Sequence, residues 1–215
     1  MLSSVVGARV SRLLALTACA ALLAGPALAQ NPPAATPKKE GAPVTSGAPA
    51  GGEKKDVAVI KTTMGTIVFE FLPDVAPKMV DNFKELAKSH FYDGTTFHRV
   101  IKGFMIQGGD PLSKDNDPNN DGSGNGPRRM QAEFTTKYKH VPGIVSTART
   151  SDPNSGSCQF FIMDGTAPSL DNQYTIFGRV IEGQDVVGKI VSVPKDARDR
   201  PLKNVTMESV TIEKR

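Results

Sequence analysis

The stretch Phe97-His98-Arg99-Val100-Ile101-Lys102-Gly103-Phe104-Met105-Ile106-Gln107-Gly108-Gly109-Asp110 organises the reading of the whole chain. It holds most of one short run, Thr96–Val100, and all of a second, Met105–Gln107, with glycines setting them off. Runs of the same kind recur downstream at Arg128–Ala132, Ile144–Thr147, Phe160–Met163 and Thr175–Val180, each bounded by Gly, Pro, Asn or Asp. Upstream, Val57–Thr62 and Thr66–Leu72 read as a hairpin turned at Thr63-Met64-Gly65. Pro73 to Pro77 then opens a helix on which Val80, Phe83, Leu86 and Ala87 repeat at helical spacing, fading by Ser89-His90. A second helix is expected over Glu182–Val191, with Val186, Val187 and Ile190 apolar, and Val205–Glu213 closes the chain as a strand. Many short strands with only two helices predict a mainly β protein, a closed antiparallel barrel.

Two more blocks follow the first in order. Gly143-Ile144-Val145-Ser146 leads through Ala148 to Ser157-Cys158-Gln159-Phe160-Phe161-Ile162, and Leu170-Asp171 leads to Phe177-Gly178-Arg179-Val180. Together the three blocks resemble the cyclophilin family of peptidyl-prolyl cis-trans isomerases, over about Val57 to Ile212. The resemblance implies an eight-stranded barrel capped by two α-helices, in agreement with the run of short strands. It also implies an isomerase that needs no cofactor and no metal, takes proline-containing polypeptides, and is expected to act as a monomer.

The chemistry explains why these residue types would matter. An X–Pro bond turns over a barrier of ~18–20 kcal/mol, because amide resonance keeps it planar. Lowering that barrier calls for an apolar seat for the ring, a donor near the prolyl nitrogen as it regains its lone pair, and groups that grip the flanking backbone. The site must bind the twisted bond better than either planar form. By the resemblance, Arg99 is the donor; its guanidinium stays cationic and offers a rigid fork. Phe104, Met105, Phe161 and Leu170 match the apolar pocket, and Tyr174 stands on its wall. Gln107, Ala148, Arg149 and Gln159 match positions that hold the substrate backbone. Many members carry Asn where this chain has Arg149, and main-chain groups are expected to hold the peptide there. The best-known eukaryotic members carry Trp where this chain has Ser169 and His where it has Tyr174; bacterial members often vary at both. Loss of the indole N–H implies weak binding of cyclosporin, the family's macrocyclic inhibitor. His98 neighbours Arg99 on a strand and should face the other way, as a structural residue.

Composition divides the 215 residues unevenly. The ten Phe and three Tyr all lie between Phe69 and Phe177, and there is no Trp. Roughly the first quarter is thus expected to lie outside the folded domain. Arg9 and Arg12 precede an apolar run, Leu13 to Ala29, that ends Ala27-Leu28-Ala29-Gln30. Positive start, short apolar middle and small-x-small end describe a signal peptide over residues 1–29, and so an exported, periplasmic protein. Two alternatives stay open: a retained signal anchor, and a lipoprotein in which Leu16-Thr17-Ala18-Cys19 is a lipobox and Cys19 is lipidated. Residues 30–56, with Pro32, Pro33, Pro37, Pro43 and Pro49 among Gly, Ala, Ser and Lys, read as a solvated linker. The domain then runs from residue 57 to 215.

Several functions are excluded. The formal charge of +4 divides into +2 for residues 1–30, +1 for 31–56 and +1 for the rest, so no concentrated basic face speaks for nucleic acid. No second long apolar stretch exists, so there is no integral membrane domain once the signal is cleaved. Two Cys make no disulfide scaffold or zinc ribbon, and Cys158 reads as a buried, inert thiol. Asp117-x-Asn119-x-Asp121-Gly122 opens like a calcium loop, but its twelfth position is Arg128, not Glu. The rival to an isomerase is a peptide-binding chaperone that uses the same groove without turnover.

Overall fold

The structure, a computed structural model, describes residues 54–115 and 117–215. The signal-peptide reading, Cys19 and nearly all of the expected linker lie outside the described residues. Within the described residues, Lys55 exchanges backbone hydrogen bonds with Arg215, and the first strand begins at Asp56.

Eight strands form one antiparallel sheet: β1 (Asp56–Thr62), β2 (Gly65–Phe71), β3 (Arg99–Ile101), β4 (Met105–Gly108), β5 (Ile144–Thr147), β6 (Phe160–Met163), β7 (Ile176–Glu182) and β8 (Met207–Lys214). Their spatial order is β3-β4-β6-β5-β7-β2-β1-β8. The sheet curls until its two ends meet just before β3 and β8, where an antiparallel bridge joins Thr96 to Thr206. Backbone bonds from Phe97 to Val205 (2.9 Å) and from Met207 to Thr95 (2.8 Å) complete that seam. The α-helices among the described residues are α1 (Pro77–Lys88) and α2 (Gln184–Ile190).

Ala76, at the N-cap of α1, offers no capping side chain. The Glu133 carboxylate supplies the cap from a distant loop, accepting from the N–H groups of Lys78 (3.1 Å) and Met79 (2.9 Å). Met79, Val80, Phe83, Leu86 and Ala87 form its buried stripe. α2 starts after Gly183, which has φ +85°; a Cβ there would sit 2.2 Å from the carbonyl oxygen of Thr66, so only glycine fits.

One expected strand is absent. Arg128–Ala132 makes a single bridge, Met130 to Gly156. Its neighbouring N–H groups go to side chains instead, Ala132 to Asn154 and Glu133 to Thr175, so no ladder can grow there.

Strand alternation builds two apolar clusters on opposite faces of the same strands. Val145, Phe160, Ile162, Ile106 and Phe177 point into the barrel and meet the helices around Phe83. Their neighbours Ile144, Phe161, Met163, Met105 and Ile176 point the other way and form a smaller outer cluster with Leu72. A one-residue slip of β6 would exchange the two sets.

Candidate active site

The outer cluster is the floor of the candidate site. Register places one row of residues across four strands: Arg99 opposite Gln107, Gln107 opposite Phe161, Phe161 opposite Ser146. Directly paired residues share a face, so Arg99, Gln107 and Phe161 look outward together. Arg99 stands two strands from Phe161, ~10 Å, and the space between them is the pocket.

Phe104, Met105, Phe161, Leu170 and Tyr174 line that pocket, which holds about 120 Å³. Arg99, Gln107, Ala148 and Arg149 complete its rim. Of the residues expected to seat or grip the substrate, all but Gln159 are thus brought together here. That side chain lines the adjoining polar cleft beyond Gln107, Ala148 and Arg149.

Each wall is fastened. The turn carrying Phe104 is tied to the chain after β6: Gly103 N–H donates to Asp164 Oδ2 (2.7 Å), and the N–H groups of Asp164 and Gly165 donate to the Phe104 carbonyl (2.9 and 3.1 Å). The two backbones approach so closely that a Cβ on Gly165 would lie 1.9 Å from the carbonyl oxygen of Gly103.

The opposite wall, Leu170 and Tyr174, hangs from a buried relay. Asp171 accepts from the backbone N–H of His140 (2.8 Å) and contacts its Nδ1 (3.1 Å), while His140 Nε2 lies 3.0 Å from Ser146 Oγ. Burial pushes the His140 pKa down, and the hydrogen bonds from His140 hold the Asp171 carboxyl below its usual range. A neutral imidazole donating to Asp171 and accepting from Ser146 satisfies all three groups. Ser, His and Asp in this order invite comparison with a hydrolase triad. Ser146 and His140 are 0% and 1% exposed, so no substrate reaches the hydroxyl. The relay instead holds the His140 ring near-parallel to Phe161 (22°, 6.1 Å), with Tyr174 edge-on to Phe161 at 5.7 Å.

Gln107 donates to Gln159 Oε1 (3.0 Å), and Gln159 donates on to the carbonyls of Gly122 (2.9 Å) and Gly124 (2.8 Å). The loop they reach is pinned from below by the fully buried Asp110, whose carboxylate accepts from the N–H groups of Leu112, Gly122 and Gly124.

Arg149 is differently employed from its neighbours. Its guanidinium lies 4.3 Å from the Tyr174 ring centroid and donates to the carbonyls of Gln173 (3.0 and 2.9 Å) and Thr150 (2.8 Å). It straps the Tyr174 wall to the end of β5, which leaves main-chain groups for a peptide. The Arg99 guanidinium, by contrast, makes no hydrogen bond or ion pair with any described residue, although its backbone pairs with Gln107 in the sheet.

His98 does not enter the apolar pocket; it is 6% exposed and burial lowers its pKa. Cys158 is fully buried, and burial pushes its thiol up to about 12, so it carries almost no thiolate near neutral pH. In the calcium-like loop, Asp117 accepts from Asn119 (3.0 Å) and Asp121 pairs with Arg200 (2.5 Å), so both carboxylates have partners within the protein. Asp110, Ser146 and Asp171 lie within the quoted blocks, but nothing in the sequence gave them, or Asp164 and His140, a fastening role, because each acts through contacts that only the fold brings together.

Comparison with known proteins agrees with this geometry. Residues 57–212 match the family model for cyclophilin type peptidyl-prolyl cis-trans isomerase/CLD. Peptidyl-prolyl cis-trans isomerase-like 1 of Neurospora crassa is 42% identical over 150 residues, covering 70% of this chain and 89% of that protein. Peptidyl-prolyl cis-trans isomerase CYP71 of Arabidopsis thaliana is 39% identical over 73% of this chain. The chain spans about a quarter of the length of the latter and of some other curated relatives. The crystal structure of a cyclophilin type isomerase from Cryptosporidium parvum, in the presence of the dipeptide Ala-Pro, superposes with a TM-score of 0.67 at 33% identity, over 73% of this chain and 98% of that one. Barrel, outer-face pocket and sequence match coincide over residues 57–212, and on that ground this chain belongs to the cyclophilin-type peptidyl-prolyl cis-trans isomerase family.

Proposed function

We propose that this chain catalyses cis–trans isomerisation of X–Pro bonds in polypeptides. The observation that carries the reading is the unpartnered guanidinium of Arg99 at the rim of a small apolar pocket. A proline ring seated on Phe161 and Met105 would bring its nitrogen within reach of that donor. As the bond twists, the nitrogen becomes pyramidal and basic, and a charged hydrogen bond to it strengthens in the twisted state alone. The apolar floor excludes water and leaves the planar amide less well solvated. No nucleophile or proton transfer is required. A protease-coupled or exchange assay on a short Ala–Pro peptide tests the reading: turnover well above the uncatalysed rate is expected, and a rate equal to buffer would leave only the binding role.

We further propose the exported, bacterial type of family member, working on exported proteins in the periplasm. Arg9, Arg12, the apolar run to Ala29 and the Ala27-Leu28-Ala29 end support it. N-terminal sequencing of the mature protein is expected to begin at Gln30. A blocked, lipid-bearing Cys19 would favour the lipoprotein, and an uncleaved N-terminus the anchor.

Cyclosporin is expected to inhibit poorly. Ser169 stands exposed on the short turn Pro168–Leu170 and offers no indole N–H, while Tyr174 is strapped by Arg149. Titration of the isomerase assay checks this, and inhibition at nanomolar concentrations would contradict it.

A further inference from the structure

A second cleft opens beside the proline pocket and shares Arg99 and Gln107 with it. It holds about 400 Å³, and its other walls include His98, Asp121, Arg198 and Arg200. Three guanidinium groups therefore line it with a single carboxylate. That carboxylate, Asp121, is already engaged by Arg200 Nε at 2.5 Å. Arg200 is further held by Asn204 Oδ1 (3.1 Å), so its direction is set before anything binds. Arg198 is 59% exposed and only loosely paired, 3.9 Å from Asp196 and 3.3 Å from Asn119 Oδ1. Arg99 has no partner among the described residues. The cleft thus carries an excess of positive charge directly against the seat of the reacting bond. Beneath it, both ring nitrogens of the buried His98 lack partners among the described residues.

We infer that this cleft receives an acidic side chain of the bound polypeptide, so that X–Pro sites with a nearby Asp or Glu are preferred substrates. The inference rests on the isomerase reading for the seating of the proline. A carboxylate entering here meets the loosely held fork of Arg198, which suits it better than a neutral amide, while Arg200, whose donors already serve Asp121, Asn204 and the Pro201 carbonyl, holds Asp121 away from the incoming charge. The other nearby cation, Arg149, is less available, because its donors already serve the carbonyls of Gln173 and Thr150. A positive cleft would also draw acidic segments toward Arg99 at low ionic strength.

The test uses short peptides with one Ala–Pro bond and either Glu or Gln at each position up to three residues on either side. Dissociation constants by NMR titration and kcat/KM are measured for each pair. We expect Glu to be favoured ~3- to 10-fold over Gln at one position, less so in high salt. Arg198→Gln should remove the preference, and Arg198→Glu should transfer it to a Lys peptide. No preference at any position, or one that survives Arg198→Gln, would overturn the inference. If the Gln peptides turn over and Glu gains nothing, this inference fails while the isomerase reading stands. If Glu peptides bind more tightly yet none turns over, the acidic cleft stands and the isomerase reading fails.

Discussion

Replacing Arg99 by alanine is expected to lower kcat/KM on a short Ala–Pro peptide by ~10–100-fold, while the midpoint of thermal unfolding barely moves. The first part follows from the strength of one charged hydrogen bond, ~1.5–3 kcal/mol, made in the twisted state and absent from the planar one. The second follows from the setting. Arg99 is half-buried, and no described residue depends on its guanidinium, so the stability change should stay within about 0.5 kcal/mol. Arg99→Lys separates charge from shape. It keeps the cation but loses the planar fork, and an intermediate rate is expected. Equal rates for wild type and Arg99→Ala would remove the donor from the mechanism. Parallel loss of rate and of stability would make Arg99 a structural residue instead.

The parts of this site that were legible in the sequence are those that lie on strands. β5 and β6 run over the expected residues, Ile144–Thr147 and Phe160–Met163, because apolar runs bounded by turn residues mark a strand locally. Phe161 and Met105 were legible as pocket residues only through the family resemblance: Phe160–Met163 is apolar and buried throughout, so alternation alone could not say which of them faces the pocket. Arg128–Ala132 shows where that reasoning fails. Its composition resembles a strand, but beyond the one bridge at Met130 the N–H groups of Ala132 and the following Glu133 are claimed by the Asn154 and Thr175 side chains. The fasteners are illegible for the same reason. Asp171 reaches His140 across 31 residues and Asp164 reaches Gly103 across 61, and nothing in either local sequence announces the partner. Arg149 was legible as a position but not as a role. Whether a guanidinium grips a substrate or straps its own wall depends on where Tyr174 and the Gln173 carbonyl come to lie.

Phe83→Ala should be the most damaging single truncation in the barrel, costing ~3–5 kcal/mol of stability. Phe83 is fully buried on α1 and lies at the hub of the aromatic cluster. Its ring stacks on Tyr92 at 4.8 Å and meets Phe69 and Phe160 edge-on at 5.2 and 5.5 Å. It also lies 5.6 Å from Phe177 on β7. The cavity left would border α1 and three strands, which cannot all collapse onto it without losing their register. Against a total of ~5–15 kcal/mol, such a loss leaves little margin. Phe83→Leu refills most of the volume and should cost less than ~1.5 kcal/mol. Urea unfolding followed by circular dichroism measures both, and an alanine variant within about 1 kcal/mol of wild type would show that α1 can repack. Activity offers a sharper reading of the two-faced sheet. Phe160 meets Phe83 inside the barrel, while its neighbour Phe161 lines the pocket on the other side. Under conditions where the variant is still folded, kcat/KM should therefore stay within a few-fold of wild type. A collapse of activity in the folded variant would mean that β6 transmits core packing to the pocket, and that the two faces are not independent.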